Sequence, residues 1–390
     1  MKKIYLVIAL ILASLNLRPA ITSIPPLLGT IQDHLGISGS VASLLTSLPV
    51  LCMGIFAPLA VKLNRRFGTE GAITLAILLI GAATALRLFA VTTIALLITS
   101  FLAGTGIAIV GPLLSGFIKR HFPNHASTMV GIYSTAMVVG ATLSVWLSVP
   151  LQKLLNGKWN DSLSMWALFA VAALPVWWVV TSKLKKKNVG VTTAINSERI
   201  PLKKSRAWVL MVSFGLMSAI FYSVTTWFAP AVVSLGYSKE TAASIQTMLT
   251  LISLPATLLI PIGVHRFKNR LWWLIGCSIM ELAGIFMLNM SVSPWLAAIP
   301  LGIGTGGLFP IALMLPIDET RNAGEANAWS AMVQSGGYIL GAAGPFLLGR
   351  IHDISGSFPQ AFYVLAVIVM VQIFVQFMIG NKKEVSLLRG

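Results

Sequence analysis

"KLKKKNVGVTTAINSERIPLKKSR", residues 183–206, is the one long polar interruption in an otherwise apolar chain, and eight of its residues are Lys or Arg. On either side, apolar stretches of about 20 residues recur, each long enough to cross about 30 Å of hydrocarbon. Six lie before it, near 4–30, 40–62, 71–90, 93–118, 127–150 and 163–182. Six follow, near 207–233, 241–263, 271–290, 294–316, 325–349 and 358–380. With 56% hydrophobic and 10% charged residues the chain is far too apolar for a soluble globular protein. A transmembrane β-barrel would show short alternating segments instead. The reading is an all-α polytopic membrane protein with 12 transmembrane helices in two six-helix bundles. Residues 1–182 and 207–390 form the bundles, and 183–206 is a basic cytoplasmic linker.

The formal charge of +17 raises the question of nucleic acid. Its distribution answers it. With both termini inside, 22 of the 28 Lys and Arg fall in cytoplasmic segments. Lys153, Lys158, Lys239 and Arg350 fall outside, and Arg18 and Arg87 lie within spans. This positive-inside pattern makes the basic excess a topology signal and nucleic acid an unexpected partner. The N-terminal "MKKIYLVIALILASL" continues its apolar run beyond a signal peptide's, so it reads as the first span. Cys52 and Cys277 lie inside spans and read as core residues.

The two halves echo each other. "LGIS" at 35–38 matches "LGYS" at 235–238, "RRF" at 65–67 matches "HRF" at 265–267, and "GTG" at 104–106 matches "GTG" at 304–306. The offset is 200 residues each time, which indicates a parallel duplication of a six-helix unit, as in many transporters.

Four stretches stand out: "LNLRPAITSIPPLL" in the first span, "FYSVTTWFAP" in the seventh, "GIGTGGLFPIALML" in the tenth and "SAMVQSGGYILGAAGPFLLGRIHDISGS" through the eleventh. With them the chain resembles the major facilitator superfamily over the full length, and more closely its cyanate permease / 2-nitroimidazole transporter family. Two departures stand out. "LNRRFGTE" keeps Arg66 and Gly68 but has no acid before them, and the fourth span carries Gly111 and Ser115 where an Asn and a Pro are expected. The resemblance implies that spans 1, 4, 7 and 10 line a central path.

Arg18 lies about 21 Å along the first span, too deep for easy snorkelling. A charge at membrane depth costs at least about 2.5–3.5 kcal/mol on insertion scales, so it faces a bundle interior or a cavity. Ser14, Arg18 and Thr22 share one helical stripe, and Pro19, Pro25 and Pro26 loosen the helix beside it. Arg18 reads as an anion-binding residue or as a structural bridge. Its repeat mate at 218 is Ser, and the mate of Thr22 is Tyr222, so the seventh span offers Ser218, Tyr222, Thr225 and Thr226 on a comparable face. Trp227, one position off, is a cavity wall or interhelical packing. Gln334 and Tyr338 in the eleventh span stand at i and i+4, and the buried amide needs partners. Phe309 and Pro310 read as packing and a kink. Glu281 is the one carboxylate near the middle of a span, either a site of proton coupling or a hydrogen-bonded structural acid. Arg87 reads as an anchor that snorkels to the interface. Arg65 and Arg66 are expected near Glu325 when the cytoplasmic side is closed, as a gate.

"GTGIAIVG" lies in a span and follows no strand, so it is not a dinucleotide fingerprint. The sequence shows no phosphate loop, metal cluster or catalytic constellation, so neither an enzyme nor a cofactor is expected. The expected function is secondary transport of a small anion or small planar polar solute, cyanate-like or nitroimidazole-like, by alternating access. An exporter of apolar compounds and a membrane receptor are the alternatives. The expected partners are the solute and the bilayer, the expected state a monomer, and the expected location a bacterial cell membrane.

Overall fold

A computed structural model describes residues 3–37, 39–187, 199–267, 269–290 and 292–380. Residues 188–198 of the linker, Ser38, Lys268 and the C-terminal Lys382, Lys383 and Arg389 lie outside the described residues.

The described chain is helical, with no strand among the described residues. The first half holds α1 (Lys3–Leu15), α2 (Pro19–Thr22), α3 (Leu28–Leu35), α4 (Gly39–Phe56), α5 (Leu59–Ala85), α6 (Thr93–His121), α7 (Ala126–Leu154), α8 (Trp159–Met165) and α9 (Leu168–Lys187). The second half holds α10 (Ser205–Ser234), α11 (Lys239–Phe267), α12 (Arg270–Asn289), α13 (Pro294–Asp318), α14 (Ala323–Ser355) and α15 (Phe358–Ile379). Ten stretches are long and apolar enough to cross a membrane, and the shorter Leu44–Phe56 within α4 adds to them. The uncounted α14, at 33 residues, is long enough as well.

Two sequence expectations need correction. The loop expected between the second and third spans is almost absent. The chain breaks at Ala57–Pro58, resumes as α5, and turns at Gly68, whose φ of 73° lies in the left-handed region. The first span is not one helix with one polar stripe. Pro19 has no N–H to give the Leu15 carbonyl, so α1 ends there and α2 starts anew. The freed Leu15 oxygen rests against Gly140 of α7, 2.7 Å from where a Cβ would stand. Asn16 fixes the break by donating from Nδ2 to the carbonyls of Leu12 (2.7 Å) and Phe169 (3.1 Å).

The face bearing Lys3, residues 199–206 and Ile379 is here the terminal face, the opposite one the far face. Toward the terminal face one apolar cluster joins both halves, from Leu6, Phe117 and Val130 to Val264, Ile317 and Ile379. Toward the far face the cores separate. Ile24, Leu27, Leu96 and Trp159 pack within the first half, and Ile220, Phe228, Leu288 and Phe362 within the second. Lys119 Nζ donates across the halves to the Ile317 carbonyl at 2.7 Å. Val61 packs on Ala328 and Ala331.

The duplicated turns carry ion pairs of opposite sense. In the first half Glu70 Oε1 lies 3.3 Å from His121 Nε2 and 3.6 Å from Arg120 Nη1. Its mate at the 200-residue offset is Arg270, whose Nη2 donates to Glu319 Oε1 at 2.7 Å. Arg206 Nη2 donates to the same oxygen at 3.0 Å and Arg206 Nη1 to the Met378 carbonyl at 2.9 Å. The acid missing before Arg66 thus stands after it, at Glu70.

Arg87 does not snorkel. It is fully buried, because the chain tightens into a 3₁₀ turn at Leu86–Phe89 and α8 packs over that turn. Its Nη2 reaches Ser100 Oγ at 3.5 Å, while Nε and Nη1 have no partner among the described residues.

Two stability measurements test this architecture. Gly140→Ala places a Cβ on the Leu15 carbonyl, and neither backbone yields easily. We expect a loss of about 1–3 kcal/mol, read as a lower unfolding temperature in detergent; an unchanged midpoint would remove the contact from the account. Burial opposes the charge of Glu319, yet the hydrogen bonds from Arg206 and Arg270 hold its carboxyl below the usual carboxylate range. A carboxyl with a lowered folded pKa stabilises the fold above its unfolded value, and that stability is lost as pH falls through the folded one. Glu319→Gln leaves the buried Arg270 guanidinium short of a counter-charge and should cost about 2 kcal/mol at pH 7. The gap to the parent should close as pH drops below the carboxylate range, and a gap independent of pH would show that the charge is not responsible.

Candidate functional site

Arg18 is the N-terminal neighbour of α2, and its backbone carbonyl accepts from the N–H groups of Ile21 and Thr22, both at 2.9 Å. The break at Asn16–Arg18 therefore turns this one residue out of the α1 register. Its guanidinium points across to the second half, where Nη1 donates to Tyr222 Oη of α10 at 3.3 Å. It lies 5.5 Å from the Phe309 ring centroid and 6.0 Å from that of Phe221. These are cation–π distances. Tyr338 and Tyr133 are buried in the same cluster as Phe309. Phe214 extends the wall, edge-on to Tyr338 at 5.2 Å and 6.5 Å from Phe309. Arg18 itself is 9% exposed. Among the described residues no carboxylate pairs with it.

A buried cation surrounded by ring faces and phenol groups is neutralised by dipoles and quadrupoles, not by a negative charge. Such a site favours a ligand that brings one negative charge, or an electron-rich acceptor edge, and a flat apolar body. The planar fork can bond such an edge at two points.

Tyr222, Tyr338 and Gln334 are brought to this region. Gln334 of α14 is buried and leans on α6, where a Cβ at Gly111 would stand 2.6 Å from Gln334 Oε1. The Gly at the position where the sequence comparison expected an Asn therefore makes room for an amide supplied from the other half. Thr22 lies one turn beyond Arg18; its Oγ1 donates to the Arg18 carbonyl at 2.9 Å and stands 2.6 Å from Ser144 Oγ, tying α2 to α7. Thr226 Oγ1 donates to its own helix at the Tyr222 carbonyl (2.8 Å) and is exposed toward the far side. Trp227 is not in the cluster. Its Nε1 donates to the Pro345 carbonyl at 2.8 Å, and its ring packs beside His352 and Gly349.

Glu281 lies apart, sealed in the second half. Its Oε2 accepts from Gln372 Nε2 at 3.0 Å, and Gln372 and Gln376 also donate to Ser278 Oγ at 2.9 and 2.8 Å. At the proposed gate, Glu325 caps α14: its N–H donates to Asn322 Oδ1 at 2.9 Å and its Oε2 accepts from the Arg321 N–H at 2.8 Å. Arg66 lies over the Phe67 ring at 5.4 Å.

Sequence reasoning missed Phe221, Phe214 and Tyr133, and gave Phe309 only a packing role. The dipeptide Phe221–Tyr222 held a signal, since both lie one helical turn from Ser218, the repeat mate of Arg18. Phe309 and Tyr133 held none, because nothing in a span marks which ring faces a cation. The glutamines of α15 were missed for the same reason.

The comparisons with known proteins fit this arrangement. The family model "Major Facilitator Superfamily" matches residues 6–342. The 2-nitroimidazole transporter of Escherichia coli (strain K12) is 30% identical over 388 residues, covering 98% of this chain and 97% of its own. The cyanate transport protein CynX of the same organism is 30% identical over 381 residues, covering 95% and 97%. The crystal structure of the superfamily transporter FucP in the outward conformation superposes with a TM-score of 0.72, at 16% identity, over 97% of this chain and 99% of that one. The chain is a multi-pass membrane transporter and belongs to the Major Facilitator Superfamily.

Proposed function

We propose that this protein carries a small planar anion, or a small conjugated solute with an anion-like acceptor edge, by alternating access. Cyanate and nitroimidazoles are the model compounds. The observation that carries the reading is Arg18: a cation between the two halves, without a carboxylate partner among the described residues and walled by Phe221, Phe309 and Tyr222. Moving an anion out of water without a fixed positive partner is prohibitively unfavourable. Arg18 supplies that partner, and the rings supply the flat apolar contact. The names of the two relatives support this solute class.

The joined core toward the terminal face and the divided cores toward the far face suit a state closed on one side of Arg18. Rocking of one half against the other would reverse it. The positive-inside count supports placing the terminal face in a bacterial cytoplasm. Gln334 and Tyr338 complete the ligand's polar contacts, and Thr22 holds Arg18 in position. Glu281, enclosed by Gln372, is a hydrogen-bonded structural acid on this reading.

The test is ligand-induced stabilisation of the purified protein by cyanate and by 2-nitroimidazole. A ligand at about 100 times its Kd adds about 2.7 kcal/mol to the folded state, a readable rise in melting temperature. Arg18→Gln should still fold, since it removes a buried charge, and should lose the shift. Arg18→Lys keeps the charge without the fork and should retain a weaker one. Tyr222→Phe removes a single hydrogen bond and should cost about 1 kcal/mol of binding, roughly fivefold in Kd. An Arg18→Gln protein that is stabilised as strongly as the parent would make Arg18 a bridge between helices and end the proposal.

A further inference from the structure

Helix α14 presents amide side chains toward α6 at two levels, Gln334 on Gly111 and Asn327 on Gly116, while Tyr338 turns to Phe214 of α10. Tyr338 and Gln334 belong to the site around Arg18. Asn327 lies seven residues nearer the terminal face, about 10 Å along the axis. There α6 has no side chain: a Cβ at Gly116 would overlap the Asn327 amide. The two helices come from different halves, so this contact exists only while the terminal side is closed. Asn327 is 1% exposed, and neither its Oδ1 nor its Nδ2 has a hydrogen-bond partner among the described residues. The Oγ of the neighbouring Ser330 is also without one. The adjoining contact across the halves is wholly apolar, Val61 on Ala328 and Ala331.

A buried amide without a side-chain or backbone partner works against the state that buries it. Alanine would fill the same position on Gly116 without that penalty, so nothing in this state calls for asparagine. The group has hydrogen bonds to make only when α6 and α14 part. It then lies on the line from Arg18 to the terminal face, beside Ser330. We infer that Asn327, with Ser330, is a second polar subsite for the transported solute, used on the terminal side after Arg18 releases it. An amide N–H donor suits the same acceptor edge that Arg18 addresses. The identity of the solute rests on the function proposed above, whereas the placement of the subsite does not.

The experiment uses the full chain with Ala328→Cys as reporter. Ala328 is fully buried against the other half, so maleimide reaches it only when the terminal side opens; the native Cys52 and Cys277 are buried and set the background. Asn327→Ala should favour closure and slow labelling about fivefold or more. Gly116→Ala, whose Cβ intrudes on the amide, should speed it. Labelling that is unchanged or faster in Asn327→Ala overturns the inference. In vesicles, Asn327→Ala should also lower cyanate turnover, while the melting shift produced by cyanate persists, because Arg18 is untouched. Asn327→Ser, which keeps a donor, should recover part of the rate. Full turnover in Asn327→Ala also overturns the inference. The labelling arm contains no solute, so it holds or fails independently of whether cyanate is carried.

Discussion

A guanidinium buried between two apolar bundles is tolerated only if everything around it conspires to hold it there, and the chain shows how this is done. Pro19 cannot donate to Leu15, so the first span breaks over Asn16–Arg18 and swings Arg18 inward. Asn16 ties the broken end to α9, and Gly140 lets α7 cover the orphaned Leu15 oxygen. Thr22 ties the short α2 to Ser144. The second half then offers ring faces and a phenol in place of a carboxylate. An acid there would neutralise the cation and compete with any anion. Aromatic faces stabilise the charge yet leave its donors for a ligand. On the proposed function, the same choice would disfavour a cationic solute, which would meet uncompensated repulsion.

The duplication supplies the rigid frame for this one flexible contact. Each half ties the start of its third long helix to the end of its fourth at the terminal face. The first uses Glu70 with His121 and Arg120, and the second uses Arg270 with Glu319 and Asp318. The signs are reversed, but the location is the same. What the repeat has kept is the mechanical role, a clamp within a half, and either polarity serves it. Between the halves the contacts include bare glycines, apolar side chains, Lys119 and Ser335 donating to backbone carbonyls, and Arg18 on Tyr222 and the Phe221 and Phe309 rings. Ion-paired clamps inside each half would let each move as one body in the rocking proposed above.

Composition and the basic linker were enough to read the helical membrane class, and the shared offset was enough to read a duplicated architecture. Burial of whole helices leaves a mark on every residue of a span, which is why those features were legible. The position of Arg18 was legible because a charge at that depth has few outlets. The rest of the site was not. A phenylalanine facing a cation and one facing lipid look alike in an apolar run, so Phe221, Phe309 and Phe214 carried no mark. Arg87 misled because its location near a span end suggested an escape to water, while α8, a seven-residue helix inside an expected loop, covers it. The turn at Gly68 misled because Arg65–Phe67 reads as a loop by charge, although helix continues up to the single left-handed glycine.

The glycines of α6 connect these themes. Gly111 and Gly116 each receive an amide from α14, Gln334 at mid-depth and Asn327 nearer the terminal face. In a soluble protein such pairs would be drawn together by the hydrophobic effect. In lipid that force is absent between helices, and close packing with interhelical hydrogen bonds must do the work. At Gly116 the packing is close, but the Asn327 amide has no hydrogen-bond partner among the described residues. On the proposed alternating access, this face would be held by shape and weakened by chemistry at Asn327. A transporter needs its two states within a few kcal/mol of each other, because a ligand shifts the balance only by its differential affinity. A polar group left dry in one state and satisfied in the other is a direct way to keep that gap small.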